Sequence, residues 1–294
     1  MKFVDTPLLR VAYDEWNAGA ADAVVLLHGW PDSARGWHRV AEVLAASGRR
    51  VIVPTLRGFA PTTFLRADTP RTGQLAALGR DLVELVQALR LDRPSLVGHD
   101  WGARAAANAC GLVPGLARRL VMLSVGYGTN DPKQPLGVAQ ARNYWYHWYM
   151  ATERGARTVH EDRRAFTRLL WDTWAPPGWY APEEFEATAA AFDNPDWAPI
   201  TLHSYRHRWG HAPGDPHYAA DDAALTPAPV LDVPTLVLHG TADGANAPET
   251  SAGKERWFRG PYRREMLEGV GHFPQREAPD HVARSLLAFF AEHP

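Results

Sequence analysis

The chain predicts an α/β fold: a mostly parallel central sheet with helices on both faces, interrupted by an inserted helical cap. Three observations carry this. Short apolar runs alternate with helical patterns through the first 125 residues, the alternation stops between about 131 and 225, and it then resumes. Alternation implies parallel pairing because parallel neighbours need a crossover, and the crossover is usually a helix.

The runs AVVLLHG, VIVPTLRG, SLVGHD and LVMLSVG are continuously apolar rather than alternating, so each reads as a strand buried on both faces. Between them, SARGWHRVAEVLAAS keeps Trp37, Val40 and Val43/Leu44 at helical spacing, with Ser33 as its expected N-cap. GQLAALGRDLVELVQALRL does the same with Leu75, Leu78, Leu82, Leu85 and Leu89. The middle segment is rich in aromatics, Arg and His. Helices are expected there around 138–154, 158–174 and 182–193, punctuated by Pro176-Pro177, Pro195, Pro199 and Pro213. PTLVLHG, YRREMLE and a closing helix from about 278 to 292 restore the rhythm. The expected organisation is core 1–130, cap 131–225 over the sheet's carboxyl edge, and core 226–294.

Composition narrows the function. At 46% hydrophobic and 22% charged residues the 294-residue chain is an ordinary globular one, long enough to bury a full core. A net charge of -2 offers no basic footprint for nucleic acid, so a small molecule is the expected partner. One cysteine, Cys110, can form neither an intrachain disulfide nor a zinc cluster. The N-terminus lacks the apolar core of a signal peptide and no run reaches membrane-spanning length, so a cytoplasmic location is expected. No cofactor or metal is expected. His203, His207 and His211 are four apart but have no acid at ligand spacing, and Gly269 and Gly271 lack the third glycine of a dinucleotide loop. A homodimer is left open.

The chemistry is concentrated in three loops. VGHDWGAR has glycines two residues either side of Asp100, the spacing of a strand-to-helix turn too tight for side chains at those positions. By itself this could be a turn whose Asp caps the next helix. His272, in EGVGHFPQREAP, and Asp243, in LVLHGTADGANAP, change that reading, because each follows its own expected strand in the order nucleophile, acid, histidine. A fourth loop, LLHGWPDS, offers the Trp30 amide to an oxyanion hole, with the Trp101 amide as its second donor.

These motifs resemble the α/β-hydrolase superfamily, and within it the branch of epoxide hydrolases and dehalogenases. That branch carries an Asp nucleophile and an H-G-x-P turn, matched by Asp100 and by His28 to Pro31. TLRGFAPTTF resembles its R-G-x-G-x-S segment, with Ala60 and Thr62 in place of glycine and serine. An Asp at the turn argues against an esterase. A carboxylate displaces at sp³ carbon and leaves an alkyl-enzyme ester, which water activated by His272 then cleaves.

The leaving group is read from the cap. The resemblance implies two cap tyrosines that hydrogen-bond an epoxide oxygen, and local similarity matches Tyr146 in NYWYHWYM and Tyr205 in LHSYRHRW, with Tyr144 and Tyr149 close by the first. Dehalogenation is the alternative. Tyr146-His147-Trp148 resembles the halide-holding segment of fluoroacetate dehalogenases, and Arg104 keeps the second of their two carboxylate-binding arginines while Trp101 replaces the first. Haloalkane dehalogenases share the Trp at 101 but place Asn where this chain has Trp30. The expected substrate-binding set is therefore His28, Pro31, Arg104, His147 and Trp148, around an apolar epoxide. A ligand receptor without turnover is a third reading, since fold alone never proves catalysis.

Overall fold

The computed structural model describes residues 1–129 and 135–294. The described residues form nine strands: β1 (Lys2–Asp5), β2 (Leu9–Trp16), β3 (Ala23–Leu27), β4 (Arg50–Pro54), β5 (Thr63–Phe64), β6 (Ser95–His99), β7 (Arg119–Leu123), β8 (Thr235–Gly240) and β9 (Tyr262–Leu267). They make one sheet in the order β1-β2-β4-β3-β6-β7-β8-β9, with β5 paired to β2. From β4 to β9 every pairing is parallel, whereas β1, β2 and β5 pair antiparallel at one edge. That edge was not expected. β1 is largely exposed and the second half of β2 only partly buried, so neither gives a continuous apolar run.

The core helices are α1 (His38–Ala46), α2 (Leu75–Ala88), α3 (Trp101–Leu112), α11 (Pro274–Glu277) and α12 (Pro279–Glu292). α1 and α12 cover one face of the sheet through Val40, Leu44, Leu286 and Phe289, while α2 and α3 cover the other through Leu82, Val86, Ala105 and Ala109. Ser33 does not cap α1. A short 3₁₀ turn over Ala34–Trp37 comes first, and the Ser33 amide is itself held by Asp32 Oδ1 at 2.7 Å.

Between β7 and β8 run α4 (Val138–Asn143), α5 (Trp145–Ala151), α6 (Glu153–Glu161), α7 (Arg163–Trp174), α8 (Pro182–Ala189), α9 (Trp197–Arg208) and α10 (Ala219–Leu225). The expected 138–154 helix is broken at Tyr144 and the 158–174 helix at Asp162. The expected start of the cap, at 130/131, lies outside the described residues.

The chain order of the strands decides where a site can form. After β3 the chain leaves for β4 on one side; after β6 it leaves for β7 on the other. The adjacent carboxyl ends of β3 and β6, in register as Leu27 opposite Gly98, therefore open a crevice at the switch point of the sheet. The Trp30 ring fills the boundary between this crevice and the helices above. It stacks on Trp101, Tyr146 and Trp197, and its indole N–H donates to Thr201 Oγ1 of α9 at 3.0 Å.

Candidate active site

Asp100 sits between β6 and α3 with φ 47° and ψ −111°, a conformation costly for any residue with a Cβ. The two glycines make it possible. A Cβ on Gly98 would lie 2.2 Å from the Gly102 carbonyl, and one on Gly102 would lie 2.3 Å from the Leu27 carbonyl oxygen. The turn is thus pressed against the neighbouring strand, and the Asp100 side chain is pushed outward. Its Oδ1 accepts the Trp30 amide at 3.0 Å. The Trp101 amide belongs to the first helical residue, where an N–H has no intrahelical acceptor.

His272, between β9 and α11, is fully buried. Its backbone is fixed at both ends: its N–H donates to the Trp174 carbonyl at 3.0 Å, and its carbonyl accepts His99 Nε2 at 2.7 Å and Ser124 Oγ at 2.9 Å. Its Nδ1 lies 3.0 and 2.9 Å from the two carboxylate oxygens of Asp243. With Asp243 ionised, that contact puts the proton on Nδ1 and leaves the Nε2 lone pair free. Nε2 has no hydrogen-bond partner and lies 3.9 Å from Asp100 Oδ2, too far for a direct bond.

The charges are set by burial and pairing. Burial pushes the His272 pKa down, but the Asp243 charge and hydrogen bond, with help from Asp100, more than offset this and raise it. Burial pushes Asp243 up, yet the charges of and hydrogen bonds to His272 and His239 hold it well below the usual carboxylate range. Asp243 Oδ1 also accepts the amides of Ala245 and Asn246 at 2.8 and 2.9 Å. Sequence reasoning passed over this support. Its signals were present in His239, four residues before Asp243, and in His99, beside the nucleophile.

The other expected residues divide. Tyr146 and Tyr205 are buried with their rings 5.5 Å apart, Tyr205 also against Trp30 and Trp101. Tyr144 gives its hydroxyl to Asn246 Oδ1 at 2.7 Å, and Tyr149 shares one with Thr158 at 2.8 Å. The hydroxyl protons of Tyr146 and Tyr205 have no such fixed acceptor among the described residues, the Trp101 indole only donating toward Tyr205, so these are the uncommitted phenols. Burial holds both pKa values well above 10, so both are neutral donors.

His28 corrects an expectation. Both its ring nitrogens are taken, Nδ1 donating to the Gly29 carbonyl at 2.9 Å and Nε2 accepting the Leu56 amide at 3.1 Å. It anchors the turn and has no atom left for a substrate. Burial lowers its pKa to about 4, which keeps it neutral in that role. The Pro31 carbonyl, similarly, accepts the Trp171 indole of α7 at 2.8 Å and ties turn to cap.

Trp148 is a second correction. It is 36% exposed, and its indole N–H is spent on the Ala141 carbonyl at 3.0 Å. His147 is buried. Its Nδ1 lies 3.0 Å from the Trp209 indole nitrogen, and because an indole can only donate, the proton sits on Nε2, which has no partner. Arg104 is buried and donates to Thr129 Oγ1 at 3.0 Å.

A strained carboxylate at a strand-to-helix turn, a backbone amide on one of its oxygens and a buried His–Asp pair facing the other have the arrangement of a nucleophile elbow. Residues 22–279 match the alpha/beta hydrolase fold family, and the chain belongs to it. Within that family it falls in the epoxide hydrolase branch. It is 39% identical to a soluble epoxide hydrolase of Corynebacterium sp. (strain C12), covering 94% of this chain and 92% of that one. It is 28% identical to epoxide hydrolase A of Mycobacterium tuberculosis over 98% of this chain and 96% of the relative. Among solved structures, a candidate epoxide hydrolase of Klebsiella pneumoniae superposes with a TM-score of 0.90 at 34% identity, covering 98% and 96% of the two chains. The chain is a hydrolase acting on a small molecule, and no helix among the described residues is long and apolar enough to cross a membrane.

Proposed function

We propose that this hydrolase opens an epoxide to a vicinal diol in two covalent steps. Asp100 Oδ2 attacks one ring carbon, the C–O bond breaks, and the ring oxygen takes a proton from Tyr146 or Tyr205, giving a hydroxyalkyl ester on Asp100. Water, losing a proton to His272 Nε2, then attacks the Asp100 carbonyl carbon. The negative charge collects on Oδ1 against the Trp30 and Trp101 amides, the diol oxygen leaves with the proton from His272, and the remaining water proton passes from the Asp100 carboxylic acid to the phenolate, restoring both groups. Epoxide and water become diol with no further reactant.

What carries the reading is the unequal treatment of the two Asp100 oxygens: Oδ1 accepts the Trp30 amide, while Oδ2 faces an unbonded His272 Nε2 at 3.9 Å. The exposed Trp148 weighs against the halide-holding alternative. Trp30, Trp101 and Trp174 line the site and suit a substrate with an apolar body. We read the α4 to α10 segment as the cap and keep the cytoplasm as the expected location, in keeping with the free Cys110.

A single turnover in heavy-oxygen water tests this. Excess enzyme should release diol whose new oxygen is the light one from Asp100, while the peptide containing Asp100 gains one heavy oxygen. Heavy oxygen entering the diol directly would refute the covalent route.

A further inference from the structure

Arg208, the last residue of α9, is a half-buried cation with no ion-pair partner among the described residues. Its Nε and one Nη are sealed from solvent and have no hydrogen-bond partner. Its guanidinium carbon lies 4.9 Å from the centroid of the Tyr205 ring. A cation over a phenol face is attracted by the ring, but that contact leaves the two sealed N–H groups without acceptors. Among the described residues no carboxylate pairs with it. Arg208 instead faces other donors and cations: it works against ionisation of Arg104 and His147, and partly offsets the burial that raises the phenols of Tyr146 and Tyr205. His147, whose Nε2–H is also without an acceptor, packs on Tyr205 at 4.5 Å. Apart from Asp100 itself, donors rather than carboxylates gather around the phenol that faces the nucleophile.

We propose that the substrate is an epoxide carrying a carboxylate, and that Arg208 receives that carboxylate and so determines specificity. This rests on the epoxide-opening reading and adds its substrate class. A guanidinium offers two parallel N–H donors to a carboxylate, and the two orphaned nitrogens of Arg208 are a Nε and Nη, the edge that makes such a fork.

The test uses aryl epoxides with a carboxylate on the oxirane carbon or at the far end of the aryl group, each beside its primary amide. The amide keeps the shape and removes the charge. The wild-type enzyme should favour at least one carboxylate over its amide by roughly 10–100-fold in kcat/KM, the scale of a charge-assisted hydrogen bond. Arg208→Gln should erase that preference, mostly by slowing the carboxylate, and Arg208→Lys should restore part of it. A wild-type enzyme indifferent to the charge overturns the proposal, and that comparison needs no variant to fold. So does Arg208→Gln slowing both partners equally, which would make Arg208 a positioning residue for Tyr205. Binding of 4-ethylbenzoate, followed by tryptophan quenching, separates the two hypotheses. If it binds at least tenfold more weakly to Arg208→Gln although no epoxide is opened, the anion site stands and the epoxide reading falls. Equal binding to both forms overturns the anion site.

Discussion

Replacing Asp243 by Asn should split the reaction at the ester. In the native site Asp243 Oδ1 accepts the Ala245 and Asn246 amides, and Oδ2 lies 2.9 Å from His272 Nδ1 and 3.2 Å from His239 Nε2. Two backbone donors hold the first oxygen, so the Asn amide oxygen must stay there and its NH₂ must face His272. An NH₂ can only donate, so at the nearer position it favours Nδ1 as acceptor and shifts the proton toward Nε2, where the lone pair is needed, in competition with the retained oxygen 3.0 Å from Nδ1. The negative charge that raises the His272 pKa is lost as well. Hydrolysis should therefore slow by about 10³–10⁴-fold, the scale of losing the tautomer-setting acid in a buried triad. Attack by Asp100 needs no base and should change only a few-fold. Rapid mixing with tryptophan emission as the signal resolves the two phases, because Trp30 and Trp174 pack around Asp100 and His272. Intact mass after quenching should show the protein plus one substrate. Equal slowing of both phases, in a variant that melts cooperatively, would refute this division of labour.

Three further outcomes are expected. The hydrolysis rate should fall tenfold per pH unit below a midpoint above 6.5, since neutral His272 is the base and its pKa is raised; a midpoint at or below 6.5 in the pH profile would contradict the pairing. Tyr146→Phe and Tyr205→Phe should each slow alkylation by roughly 10²–10³-fold and spare ester hydrolysis, measured in the same rapid-mixing experiment, and the wild-type alkylation rate should stay flat to about pH 9 because both phenols ionise well above 10. Gly98→Ala should yield little folded protein by circular dichroism and thermal melting, because its Cβ would meet backbone 2.2 Å away that cannot move.

Legibility in the sequence followed contact range. Strands β3, β6, β7 and β8 were readable because burial on both faces forces a continuous apolar run, and the loops bearing Asp100 and Asp243 were readable because each follows such a run, whereas the His272 loop follows the half-buried β9 and was readable from its place before the closing helix. Ser33 misled because capping depends on backbone the sequence does not show: the chain turns through 3₁₀ geometry first. His28 and Trp148 misled because their partners, Leu56 and Ala141, are set by the folded chain. Arg208 left no signal, since an orphaned cation is defined by what is missing around it, and only packing reveals that.

The same packing explains how one fold can keep its nucleophile and change its leaving group. Most of what hydrolyses the ester is fixed by hydrogen bonds within the core: His272 at its carbonyl and Nδ1, Asp243 by two amides, Asp100 Oδ1 by the Trp30 amide, with only the His272 amide reaching α7, at the Trp174 carbonyl. What meets the leaving group hangs from the cap and is held by ring packing, Tyr146 on Trp30 and Trp174, Tyr205 on Trp30 and His147. Ring contacts tolerate small shifts that hydrogen bonds do not, because dispersion changes gradually with distance while a hydrogen bond weakens steeply off its angle. Trp30 joins the two regimes, with its amide on the nucleophile and its indole on Thr201 of the cap. A cap displaced by a bulky substrate therefore pulls on the side chain of Trp30 and leaves its amide, set by the turn that His28 anchors, in place. The second step should then depend on substrate size less than the first, where most of the selectivity should appear.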